Sequence, residues 1–156
     1  LIQMKRLGRT VRSGSVVATR LKDGLWAYGI CCESPDVAFM EVRSEFVPEN
    51  LEQIMRGPVA FRVPVTLHGL RTYDWFLIGQ VPLCTPFSER AGYARRPVGS
   101  DSIYLDKYPE SPKPISKKEA KSIEQWAVWS LSHIENRLER LFSGDSRARV
   151  KTVFDN

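Results

Sequence analysis

Histidine is nearly missing from this chain: two occur among 156 residues, His68 and His133. Neither has a second ligand at zinc spacing, so H-x-x-x-H and H-E-x-x-H signatures are absent. Cysteine is scarce as well, with Cys31, Cys32 and Cys84 alone. Adjacent residues of a strand point to opposite faces, so Cys31 and Cys32 make a poor metal clip and a poor disulfide framework. An odd count of this kind fits a reducing cytosol and thiols that serve as small hydrophobes. No apolar run approaches the ~20 residues of a membrane-spanning helix. The opening LIQMKRLGRTVRSG lacks the apolar core of a secretory signal, and Met4 is read as the natural start. Neither G-x-G-x-x-G nor G-x-x-x-x-G-K occurs, and Ser13-Gly14-Ser15 lacks the flanks of a nucleophile elbow. Cys84 with His68 is a pair by composition only, without the electropositive setting a catalytic thiol needs. The acidic pairs Asp36/Glu41, Glu45/Glu49 and Glu135/Glu139 read as surface charge and helix support rather than as acid and base. No titratable cluster meets the requirements of a catalytic site. The expectation is therefore a protein with no catalytic residues, no metal and no cofactor.

What is present is a positive balance and a clear order of elements. The net charge is +5 and the isoelectric point near 9.3. A basic chain can face nucleic acid, a membrane surface or an acidic protein. The clusters Lys5-Arg6, Arg95-Arg96, Lys117-Lys118 and 147–151 are short and scattered, which weighs against nucleic acid. Hydrophobic content of 42% and charged content of 26% place the chain among single soluble domains.

Asp23-Gly24 separates two runs rich in Val, Leu, Trp, Tyr and Ile, the pattern of a two-residue hairpin. Strands are expected at 15–22, 25–32 and 37–43, with Ser34-Pro35-Asp36 as the second turn. A short helix follows at 48–56. The run 59–67 contains Pro64, which cannot donate to a ladder, so it reads as an edge strand or a bulged one. His68-Gly69 begins a turn, and the apolar run 75–81 suits a central buried strand with Trp75 inside. Residues 82–115 carry six prolines that break any long helix, with a short strand at 103–105. Ser116 and Glu119 form a capping box. Ala120, Ile123, Ala127, Leu131, Ile134, Leu138 and Leu141 then recur at steps of three and four, predicting one amphipathic helix over 116–143 stopped at Gly144. Glu135, Glu139, Arg137 and Arg140 fall on its wet side. Trp126 borders the apolar stripe and reads as core, while Trp129 projects about 200° from Ala127 and faces away. The tail 144–156 is basic, with Val150, Val153 and Phe154 as an anchor.

The fold class implied is α+β: an antiparallel bent sheet or partial β-barrel with one long C-terminal helix packed on it. A β-rich core with an irregular Pro-rich loop spans 10–106. Arginine and aromatic side chains mix at 71–75 (RTYDW) and 90–96 (RAGYARR). Arg, Tyr and Trp dominate protein-interface hot spots, and bases stack on a similar set. Arg71, Tyr73, Arg90, Tyr93, Arg95, Arg96 and Trp129 are the candidate partner-binding residues.

The segments Gly14-Ser15-Val16-Val17-Ala18, Asp23-Gly24, Trp26-Ala27-Tyr28-Gly29 and Trp75-Phe76-Leu77-Ile78-Gly79, followed by Pro82-Leu83 and Pro86-Phe87, carry a resemblance. Over about residues 10–90 the chain resembles the immunity protein 26 family of bacterial polymorphic toxin systems. The resemblance implies a cytoplasmic protein that neutralises a cognate toxin domain by covering it, without chemistry of its own. A small β-barrel module that binds nucleic acid through the same Arg and aromatic groups is the alternative. A positive chain suits an acidic toxin surface, since complementary potentials speed encounter.

Overall fold

Asp23-Gly24 lies in the hairpin turn as expected, but the loop has three residues rather than two: the Leu21 amide donates to the Leu25 carbonyl across Lys22-Asp23-Gly24, and only Gly24 takes positive φ. Gly24 has φ +86°, a region closed to most L-residues, and Asp23 Oδ1 accepts from the Leu25 amide at 2.9 Å. The computed structural model describes residues 4–7, 11–33, 35–66 and 75–155. The turn joins β2 (Ser15–Arg20) to β3 (Trp26–Cys31), and β4 (Asp36–Ser44) completes the expected meander. With β1 (Lys5–Arg6), β5 (Val59–Pro64) and β6 (Trp75–Gln80) they form a six-stranded sheet in the order β1-β6-β2-β3-β4-β5. Every pairing is antiparallel. The register shifts at Val16/Val17, Ala27/Gly29 and Phe39/Met40, and such bulges bend a sheet and increase its twist. β5 lies at an edge, as Pro64 requires. β6 is penultimate rather than central, because two residues of β1 pair with its outer side. Gly14 has φ +87°, and a Cβ there would sit 2.3 Å from the Val81 carbonyl oxygen.

Side chains alternate across this sheet, so each face has its own core. Val17, Ala27, Cys31, Val37, Phe39, Phe61, Val63 and Trp75 point to one face and pack against Leu131, Ile134, Leu138 and Leu141. Val16, Ala18, Tyr28, Ile30, Cys32, Ala38 and Met40 point to the other, covered by Ile54 and Phe87. Cys31 and Cys32 thus fall on opposite faces, as adjacency in a strand dictates. Burial pushes the Cys31 thiol up to about 12, and all three cysteines are free thiols. The short helix predicted at 48–56 contracts to one turn, α1 (Glu52–Met55), ended by Arg56 and Gly57.

The Pro-rich stretch is not structureless. It holds a second, three-stranded sheet of β7 (Tyr93–Arg95), β8 (Ile103–Asp106) and β9 (Lys113–Ile115). The single helix expected over 116–143 is two helices. Ser116 and Glu119 do form a capping box, but α2 (Lys117–Ala120) ends after one turn, and α3 (Leu131–Phe142) restarts from a second cap at Ser130. Between them 124–129 is extended. Its backbone leaves helical pairing for tertiary partners: Ala94 N–H donates to the Glu124 carbonyl, Trp126 N–H to Ala94, Trp129 N–H to Pro64, and Thr66 N–H to Trp129. The periodic stripe is therefore the sum of two faces: Ala120 and Ile123 join a small cluster with Ala94, Ile103 and Val153, and only the positions from Leu131 onward cover the main sheet. Val153 anchors the tail, while Phe154 stays at the surface. No helix among the described residues is long and apolar enough to cross a membrane.

Candidate functional site

The extended segment 124–129 lies where the two sheets meet. The turn before β4 brings Glu33 and Pro35, the start of β4 brings Asp36, the end of β5 brings Pro64, and β7 with its approach brings Arg90 and Tyr93. Asp106 at the end of β8, with Tyr108 beyond it and Trp126, closes the ring around a cavity of about 90 Å³.

Charges here are arranged in pairs. Arg90 reaches Glu33 at 3.5 Å, Arg62 reaches Asp36 at 3.3 Å and Arg95 reaches Asp106 at 2.9 Å. Arg62 also holds the 86–90 loop, donating to the Glu89 carbonyl at 2.7 Å. Burial raises the Asp36 carboxyl above its ordinary range, against the lowering pull of the Tyr93 hydroxyl and Arg62. Burial likewise pushes the Tyr93 phenol up, and the Asp36 charge adds to it. The Tyr93 hydroxyl and Asp36 carboxylate are thus near enough to shift one another, yet among the described residues that hydroxyl has no partner at good hydrogen-bond geometry.

Two guanidinium groups lie on aromatic rings at the rim. Arg90 sits 4.9 Å from the Tyr108 ring centre and Arg95 5.1 Å from that of Trp126. Tyr108 is 69% exposed and Trp126 38%. Planar cations on flat rings form a rigid, amphipathic surface that loses little side-chain freedom when a partner covers it.

Of the residues singled out by sequence, Arg90, Tyr93 and Arg95 come together here. Arg96 does not: it donates to the Ser100 carbonyl at 3.1 Å and lies 3.6 Å from Asp101. Arg71 and Tyr73 lie outside the described residues, as does His68. Trp126 is not core, because its segment is extended and Trp126 and Val128 alternate outward, both exposed. Trp129 is half-buried, bridged to Val65, with Lys151 of the tail 5.4 Å from its ring centre. It borders a separate basic groove together with Arg137, Arg140, Arg147 and Lys151.

Arg137 is the largest departure from the helical projection. It is buried rather than wet, held by both oxygens of Glu124 at 2.7 and 2.9 Å and by the Ala148 and Arg149 carbonyls. The rings of Phe61 and Trp129 lie 3.9 and 4.9 Å from its guanidinium carbon. Glu135 and Glu139 also make tertiary bonds, accepting from Trp75 Nε1 and from the Lys22 amide. Sequence reasoning missed Glu33, Asp106 and Tyr108 at the seam, and it read Asp36 as surface charge where the structure buries it. The one local signal was the clustering of Asp106 and Tyr108 close after the RAGYARR run. Among the described residues, no group of three or more His, Cys, Asp or Glu side chains is placed to hold a metal ion. The chain matches no protein-family model, and no curated protein or solved structure matches it significantly.

Proposed function

We propose that this chain is a non-catalytic immunity protein, acting in the cytoplasm, that neutralises a toxin domain by covering it with the seam between its two sheets. The observation that carries this reading is the convergence of the Arg90–Tyr108 and Arg95–Trp126 stacks around one small cavity. Trp, Tyr and Arg anchors beside a pocket are the composition that concentrates binding energy in protein interfaces. The pairing of each seam arginine with a carboxylate favours a protein over nucleic acid, since phosphates would have to displace Glu33 and Asp106 and would meet their charge. Co-expression with a candidate toxin domain from a neighbouring reading frame tests the reading. The wild-type chain restores growth and co-purifies with that domain, and the Tyr108→Ala/Trp126→Ala double variant, folded by circular dichroism, does neither. Rescue that survives the double variant would exclude the seam as the binding face, and failure of the wild-type chain to rescue or co-purify would exclude the function.

A further inference from the structure

The groove beside Trp129 is more open than the seam cavity and much larger, about 760 Å³. Its cations come from three elements: Arg140 from α3, Arg147 from the 3-10 turn Ser146–Ala148, and Lys151 from the tail. Arg137 forms part of its wall but is saturated by Glu124 and two carbonyls. The others are not matched one for one. Asp145 is shared between Arg140 and Arg147, at 3.2 and 3.1 Å, and Asp155 is tied to the Thr152 amide and hydroxyl. Lys151 rests over the Trp129 ring with no carboxylate in ion-pair reach among the described residues. Cations therefore outnumber carboxylates along the groove, which favours a bound segment that carries negative charge.

We infer that this groove docks an acidic, extended polypeptide segment of the protein partner. Its carboxylates pair with Arg147 and Lys151, the latter resting beside the Trp129 ring. The inference rests on the partner-binding reading above and adds to it a second contact region of defined chemistry. A polypeptide fits better than nucleic acid. The Trp129 ring already carries Arg137 and Lys151, which leaves Phe154 alone where strand binding uses successive stacking platforms. Asp145 and Asp155 also interrupt any continuous track for phosphates.

The test uses the full chain, ¹⁵N-labelled, without the toxin, so its outcome is independent of the seam. A synthetic peptide of alternating glutamate and glycine is titrated in, with its glutamine counterpart and a single-stranded oligonucleotide in parallel. The acidic peptide produces saturable shifts at the Trp129 indole N–H and the Lys151 amide, and the glutamine peptide does not. Arg147→Glu with Lys151→Glu, both at exposed positions, weakens the acidic peptide at least about tenfold, since like charges now face it. Shifts that avoid Trp129 and Lys151, equal response to the glutamine peptide, or tighter binding of the oligonucleotide at the same residues would each overturn the inference.

Discussion

Arg137 and Glu124 tie together the segments of the C-terminal third, joining α3 to the extended stretch 124–129 and to the 148–149 backbone. The guanidinium is 2% exposed and the carboxylate 11%, so neither charge has water to fall back on. Removing one member of a buried pair typically costs ~3–5 kcal/mol, because the other is left uncompensated. Glu124→Gln is therefore expected to lower urea-unfolding stability by about 3 kcal/mol. In a double-mutant cycle with Arg137→Met, the two losses are expected to fall short of additivity by at least ~1 kcal/mol; strictly additive losses would mean that the pair is not coupled. Acid stability separates two other carboxylates by sign. The Arg149 hydrogen bond holds Glu41 below its ordinary 4.5, so its contribution is full above that value and lost as pH falls through the folded-state pKa. Asp36, raised by burial from 3.8, binds its proton more tightly in the folded chain and acts in the opposite direction. Glu41→Gln should flatten the loss of stability below about pH 5 and Asp36→Asn should steepen it, measured as urea midpoints against pH. These roles were hidden in sequence because burial of a charge depends on contacts distant along the chain. Arg137 on a helical wheel looks like any solvated arginine.

At the scale of elements, the hairpin, the edge strand and the capping box were legible, because each is written in a few neighbouring residues. Asp23-Gly24, Pro64 and Ser116 with Glu119 act through their own backbone geometry and need no tertiary partner. The interrupted helix was not legible. Positions 120–141 have helical spacing throughout, yet Gln125-Trp126-Ala127-Val128-Trp129 gains more by joining the sheets, and its aromatic and β-branched side chains suit extended backbone. The consequence is measurable. The amides of Gln125, Trp126 and Trp129 donate to Lys151, Ala94 and Pro64, so they should exchange slowly with solvent while carrying extended rather than helical carbon shifts. Continuous helical shifts from 117 to 142 would contradict the break, and with it the placement of Trp126 at the seam.

Over the whole molecule, the proposed toxin binding would give the net charge of +5 and the paired charges of the seam different tasks. A long-range positive field acts before contact and speeds encounter with an acidic partner, whereas the stacked rings act only after water has been expelled. Charge was readable from composition, but the seam was not. Glu33, Arg90, Asp106 and Trp126 come from four separate stretches, and a single sequence carries no record of which stretches meet. The two tasks separate kinetically. Raising ionic strength from low to physiological levels should slow association with the toxin domain about tenfold or more and leave dissociation nearly unchanged, because screening acts on the approaching partner. Trp126→Ala should do the reverse, speeding dissociation at least tenfold with little change in association, as expected for a hot-spot anchor. Both are read by surface plasmon resonance at several salt concentrations. An association rate indifferent to salt would remove the role assigned to net charge, and dissociation unaffected by Trp126→Ala would move the binding face away from the seam.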